Sequence, residues 1–128
     1  MKLIILGAPR TKKNSLRIAK NKRTGKSFPM QSAAHNDWSK SAVSQLRDQF
    51  QAAGKFFSRQ FDIPVAVRAT IYRERATGDL LNYLAAISDA LEHAGVVEND
   101  RLCVSWDGSR MAKDAVNPRV EIEIEAVT

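Results

Sequence analysis

The chain has one cysteine, two histidines, no acidic residue before Asp37 and no long apolar run. Each scarcity excludes something. Cys103 alone cannot form an internal disulfide, nor a structural zinc site by itself, so a reducing compartment such as the cytoplasm is expected. The run Leu3-Ile4-Ile5-Leu6 follows a single lysine and stops at Gly7. That is too short for a signal-peptide core or a membrane span, so neither export nor anchoring is expected. Of the two histidines, His93 and His35, His93 has only Asp89 near it in sequence and reads as a cation at a helix C-terminus rather than a ligand. Cys103 reads as a small apolar strand residue, because no histidine and base pattern supports a nucleophile. At 128 residues the chain is long enough for one core and too short to suggest two.

The missing acid at the N-terminus matters most. Net charge is +6, but residues 1–64 carry +10 and residues 65–128 carry −4. Residues 1–30 hold nine Lys and Arg (Lys2, Arg10, Lys12, Lys13, Arg17, Lys20, Lys22, Arg23 and Lys26) and no Asp or Glu. Such a segment suits neutralisation of a polyanion, although a solvated basic loop has the same composition. The basic arm is placed at about residues 10–27.

Residues 2–8 read as a buried strand closed by Gly7 and Pro9. The arm follows as a basic hairpin or loop, with Gly25 marking a turn before a short strand through Ser27, Phe28, Pro29 and Met30. From Ala33 to Ala53, Trp38, Ala42, Leu46 and Phe50 recur at helical spacing, with Ser32 as N-cap, Gly54 as stop and Trp38 as core. After Pro64, Val65, Val67, Ala69 and Ile71 alternate with Ala66, Arg68, Thr70 and Tyr72, a strand with one buried face. Gly78 precedes a helix over about 80–94 whose apolar stripe is Leu80, Leu84, Ile87, Leu91 and Ala94, ended by Gly95. Leu102, Val104 and Trp106 suggest a short strand, then a loop with Gly108, Lys113 and Asp114. Val120, Ile122, Ile124 and Ala126 alternate with Arg119, Glu121, Glu123 and Glu125 in a last strand, whose glutamate face should repel phosphates. The expected fold is a single α/β domain, a mixed β-sheet with two main helices packed on one face.

At 100° per residue the second helix gathers Asp79, Asn82, Ala86, Asp89 and His93 on one stripe, opposite the apolar one. Alone, this is the wet side of an amphipathic helix, and Asp79 is a cap. The whole run is more specific: Gly78-Asp79-Leu80-Leu81-Asn82, Asp89-Ala90-Leu91, Ala94-Gly95-Val96-Val97, then Glu98-Asn99-Asp100-Arg101. It resembles the RusA family of Holliday junction resolvases, in which an Asp-x-Asp-Asn motif opens a helix, Asp-Ala-Leu follows within it, an Ala-Gly turn ends it and an Asp-Asp pair closes the stretch. The opening Gly7-Ala8-Pro9-Arg10 and Lys12-Lys13-Asn14 is similar to the family's as well.

The resemblance implies a RusA-like fold and a homodimeric endonuclease that binds four-way DNA junctions and cuts them with Mg2+ or Mn2+. Hard cations of this kind suit carboxylate oxygen and can activate water against a phosphodiester. It carries the family's catalytic and metal-binding carboxylates onto Asp79, position 81 and Asp100, and its lysine onto position 85. Here 81 is Leu81 and 85 is Ala85, one turn apart, so an anion and its cation are replaced together. Glu74, Glu98 and Asp107 are candidate substitutes that no spacing rule places at the site. Asn82 and Asp89 are read as supporting residues. Arg10, Lys12, Lys13, Arg17, Lys20, Lys22 and Arg23 are the expected phosphate contacts, with Arg73 and Arg75 beside the scissile region. Because the helix carries the chain roughly 22 Å and residues 96–100 return at most about 17 Å, Asp79 and Asp100 meet only if the helix is short or tilted or a partner subunit contributes, and proximity across or near a dimer interface is expected. Three readings stay open: an active resolvase, a homologue that holds branched DNA without cutting, and an unrelated RNA-binding protein.

Overall fold

The structure, a computed structural model, describes residues 1–11, 16–20, 23, 27–31, 33–53 and 60–127. In chain order the elements are β1 (Lys2–Leu6), β2 (Leu16–Lys20), β3 (Ser27–Gln31), α1 (Ala33–Ala53), β4 (Val65–Arg73), α2 (Leu80–His93), a 3-10 turn (Asp100–Leu102), β5 (Cys103–Ser105), β6 (Arg110–Lys113) and β7 (Arg119–Ala126). The expected N-cap Ser32 and stop Gly54 lie outside the described residues.

The period-2 pattern decides the sheet. Val65, Val67, Ala69 and Ile71 of β4, Val120, Ile122 and Ile124 of β7, and Leu3 and Ile5 of β1 are all buried. They form one face, since alternate strand residues point the same way. β1 and β4 flank β7, each antiparallel to it, and β5 and β6 both run parallel to β4 on its other edge. A slip of one residue would drive Glu121 and Glu123 into the core, which fixes the register Ile71↔Val120 and Ala69↔Ile122. Against this face pack Trp38, Ala42, Leu46 and Phe50 of α1, and Tyr83, Leu84, Ala86, Ile87, Ala90 and Leu91 of α2. Trp38 is core, as its spacing indicated. The mixed sheet with its two helices is the expected α/β domain. The basic segment contributes a separate two-stranded ladder, β2 against β3 with Ile18↔Pro29 at its middle. No helix among the described residues is long and apolar enough to cross a membrane.

Three expectations are corrected. The stretch after Gly108 is not simply loop: Arg110–Lys113 pairs with Thr70–Arg73 as β6, and its one-sided polarity hid an edge strand. The first strand stops at Leu6, two residues short of the expected end. In α2 the polar stripe is interrupted, because Ala86 is buried between Asn82 and Asp89. The helix buries a wider front than its leucines suggested, and the small side chains of Ala86 and Ala90 let the backbone approach its neighbours.

The connections explain why these elements stop where they do. Asp79 caps α2, its carboxylate accepting from the Asn82 N–H at 3.0 Å. At the other end Val96 N–H donates to Leu91 O at 3.0 Å and Gly95 N–H to Glu92 O at 3.0 Å, the six-to-one and five-to-two pair of a helix stop with Gly95 at φ 78°. Between β5 and β6 the chain leaves β4 through the turn Trp106–Ser109. Gly108 has φ 83°, a left-handed conformation that favours glycine, and a Cβ there would press on the flexible Arg68 side chain. The Ala69 N–H exposed by this gap is taken by Ser109 Oγ at 3.0 Å.

The opposite edge of the sheet is closed by side chains. Gln49 Oε1 accepts from Ile4 N–H at 2.8 Å and its amide donates to Ile4 O at 2.6 Å, while Gln45 does the same at Leu6 with 2.8 and 3.0 Å. Two glutamines of α1 thus stand in for a neighbouring strand. These bonds are exposed and Ser109's is half-buried, which orders their energetic effects. Ser109→Ala is expected to cost about 1–3 kcal/mol in urea unfolding, by orphaning a buried N–H, and Gln45→Ala with Gln49→Ala about 1 kcal/mol. A serine variant as stable as the parent would show that the gap is filled another way.

Candidate functional site

The sheet has two ends, and they carry different chemistry. At one lie the ends of β1, β4 and β6 and the start of β7. Gly7 N–H donates to Pro118 O at 3.2 Å and Asp114 N–H to Arg73 O at 2.8 Å, tying the segments together. Arg10, at the root of the basic arm, donates to Glu74 at 2.7 Å just past β4. Arg73 turns its guanidinium onto Ala112 O at 3.5 Å and Thr77 O at 2.9 Å. Tyr83 OH donates to the same Thr77 carbonyl at 3.1 Å. Burial pushes the Tyr83 phenol up, while Arg73 and Arg10 pull the other way, so both cations face this hydroxyl. Asp79 opens α2 two residues beyond Thr77, with its second oxygen accepting from Asn82 Nδ2 at 3.0 Å.

The arm root and Asp79 therefore share one end of the domain, as two of the expected site groups. Arg10 and Arg73 are already engaged by protein acceptors, and Arg75 is exposed beside them. Arg17 and Lys20 lie on β2, and Arg23 is exposed at its turn. Lys12, Lys13 and Lys22 lie outside the described residues.

Asp100 is elsewhere. Its N–H donates to Glu92 Oε1 at 3.3 Å, and Cys103, three residues on, bonds through its thiol to Ser88. It therefore sits beside residues 88–92 of α2, nine or more positions beyond Asp79, which is roughly 13 Å or more at 1.5 Å per residue. β5 pairs with the start of β4, at Val65↔Cys103, and α2 opens after the end of β4. After Gly95 the chain turns back only along the C-terminal half of α2: Val96 and Val97 are buried, Phe61 bridges Val97, and Asp100 comes to lie beside Glu92.

The neighbourhood of Asp100 is nonetheless coherent. Positions 81, 85, 88 and 92 follow one face of α2 at offsets of four, three and four. Leu81 is 77% exposed and Ala85 is exposed, while Ser88 and Glu92 are half-buried beside Asp100 and Cys103. The two apolar departures from the family pattern thus stand in solvent on the helix face that leads to Asp100. Asp89 is half-buried. Of the suggested substitutes, Glu74 is paired with Arg10, Glu98 is exposed near Phe61, and Asp107 is exposed in the β5–β6 turn. Sequence reasoning missed Glu92, whose only signal is its place seven residues beyond Ala85 on that face. Among the described residues no group of three or more His, Cys, Asp or Glu side chains is placed to hold a metal ion. Within one chain, then, these residues do not fit a three-carboxylate cation site.

The glutamates of β7 are not a bare anionic row. Glu123 pairs with Arg68 and with Lys2, and Glu121 with Arg119, which also stacks on Tyr72 at 3.8 Å. Together the features define a class: a small α/β domain with a cationic hairpin rooted next to a helix that opens on a capping aspartate. The family follows from comparison. The model for the endodeoxyribonuclease RusA matches residues 7–125, and the chain belongs to that family. Membership supports a Holliday junction resolvase-like nuclease function acting on branched DNA, and nucleases of the family are generally dependent on a divalent metal ion. No curated protein matches the chain.

The position of Asp100 has a chemical readout. Burial pushes the Cys103 thiol up, the Ser88 bond opposes this, and the negative charges of Asp100 and Glu92 add to the rise. Raised means less thiolate at a given pH, so Cys103 should react slowly with a disulfide reagent at pH 8, faster as pH increases. Asp100→Asn is expected to speed that reaction. An unchanged rate would place Asp100 away from Cys103.

Proposed function

We propose that this chain is a RusA-like resolvase that works as a homodimer on four-way DNA junctions and cleaves them with Mg2+ or Mn2+. What carries the reading is the fixing of the arm root beside the opening of α2, through the Arg10 to Glu74 bond, within a domain that matches the family over residues 7–125. A cationic hairpin held there tracks phosphates and presents a strand to Asp79. Two equivalent cuts in one junction call for two-fold symmetry, which a homodimer supplies. A homodimer is also the route by which Asp79 and Asp100, separated along α2 in one chain, are brought to a shared site.

A specific observation favours a second reading, that the protein holds junctions without cutting them. Leu81 and Ala85 replace the family's carboxylate and lysine on an exposed face, so neither packing nor the fold demands charge there. The joint change leaves no unpaired charge, a way to retire a site while keeping the domain.

A four-way junction, a metal titration and four proteins separate the readings. The wild type is expected to nick the junction with Mg2+ or Mn2+, and Asp79→Asn to abolish nicking while keeping the helix cap, since asparagine caps as well as aspartate. Leu81→Asp with Ala85→Lys is expected to increase the rate. Mixed dimers of Asp79→Asn and Asp100→Asn subunits should regain one intact site and nick a single strand if the site is shared between subunits, and should stay inactive if it is not. Salt-sensitive binding with no cleavage by the wild type in any metal would select the second reading.

A further inference from the structure

The loop between β6 and β7 has no part in the reading above, yet it is braced by a dense set of hydrogen bonds at the arm end of the sheet. One oxygen of Asp114 accepts from Val116 N–H at 3.1 Å and Asn117 N–H at 3.0 Å, and the other from Arg119 Nη1 at 3.0 Å. The same Nη1 donates to Asn117 O at 3.0 Å, and the guanidinium is held from behind by Glu121 and the Tyr72 ring. The Asn117 N–H first, then Arg119, keep the Asp114 carboxyl below the usual range. At the tip of this braced loop Val116 is 96% exposed. Its two ends are tied to Arg73 and Gly7, so the tip stands between the β4–α2 connection and the root of the basic arm.

We infer that the 114–118 loop is a junction-centre wedge, in which Val116 enters the interrupted base stack at the branch point of a four-way junction. The inference rests on the branched-DNA reading proposed above. Apolar side chains on rigid supports enter between base steps in bent DNA, and the cost there is unstacking. At a branch point the stack is already interrupted, so the same side chain meets base faces with less to disrupt than in linear duplex. Asp114 does not oppose the approach of phosphates with a bare charge, because Arg119 is bonded to it. The loop thereby supplies selection for branched over linear DNA, which phosphate contacts from the arm cannot provide.

The test uses the full chain without metal, a four-way junction carrying 2-aminopurine at the crossover, and a linear duplex of the same sequence. The wild type is expected to prefer the junction and to raise 2-aminopurine emission on binding. Val116→Ser, fully exposed and harmless to the fold, should keep duplex affinity and salt slope while losing junction preference roughly tenfold, along with the emission change. Val116→Leu should restore both. Unchanged preference and emission in Val116→Ser would overturn the wedge and leave the branched-DNA reading standing, and so would an equal loss on duplex and junction. A wild type with no preference for the junction would overturn both together.

Discussion

The antiparallel ladder between β4 and β7 is the constraint on which everything else depends. It pairs Val65 with Ala126 at one end and Tyr72 with Arg119 at the other, so it decides which groups meet at each end of the sheet. The Tyr72 to Arg119 pairing sets the guanidinium over the ring, and from there Arg119 fixes Asp114. On the other side of β4 the parallel ladder with β6 holds Arg73 level with Lys113, and just past it Glu74 lies where Arg10 can reach it. Strand pairing thus aligns the root of a basic arm with the opening of α2.

That alignment separates the two carboxylates, Asp79 and Asp100, that the resemblance to the family would place in one site. Asp79 belongs to the arm end and Asp100 to the end where β5 begins, with most of α2 between them. The helix face that joins them carries Leu81 and Ala85, where the family pattern has charge, and then Ser88 and Glu92, which hold the Asp100 region in place. The fold is intact around this face because Leu81 and Ala85 contribute little to packing. Charge at these exposed positions is not required for the stability of the single chain.

What was legible in the sequence follows from the range of the forces involved. The alternation in β4 and β7 and the three-four spacing in α1 and α2 are local records of burial, and they identified the core strands, both helices and the position of Trp38. The run from Gly78 to Arg101 carried the family. β6 was not legible, because Arg-Met-Ala-Lys has no clear alternation and is a strand only by virtue of the free edge of β4. Ala86 looked polar-facing because alanine is neutral in a periodicity argument. The glutamine clamps on β1, the Ser109 insertion and the pairing of Glu92 with Asp100 depend on partners 8 to 45 residues away and leave no pattern of their own. The chain-length limit on Asp100 was legible: residues 96–100 come back only as far as Glu92, well short of Asp79.

The treatment of the two sheet rims has a consequence for how copies of the chain can meet. On one rim the amides of Gln45 and Gln49 occupy the hydrogen-bonding groups of β1, and on the other the border of β4 is broken into two short pieces with a turn between them. Neither rim offers a continuous ribbon for another copy to extend. Copies of the chain can therefore be concentrated without zipping into a fibre through their backbones.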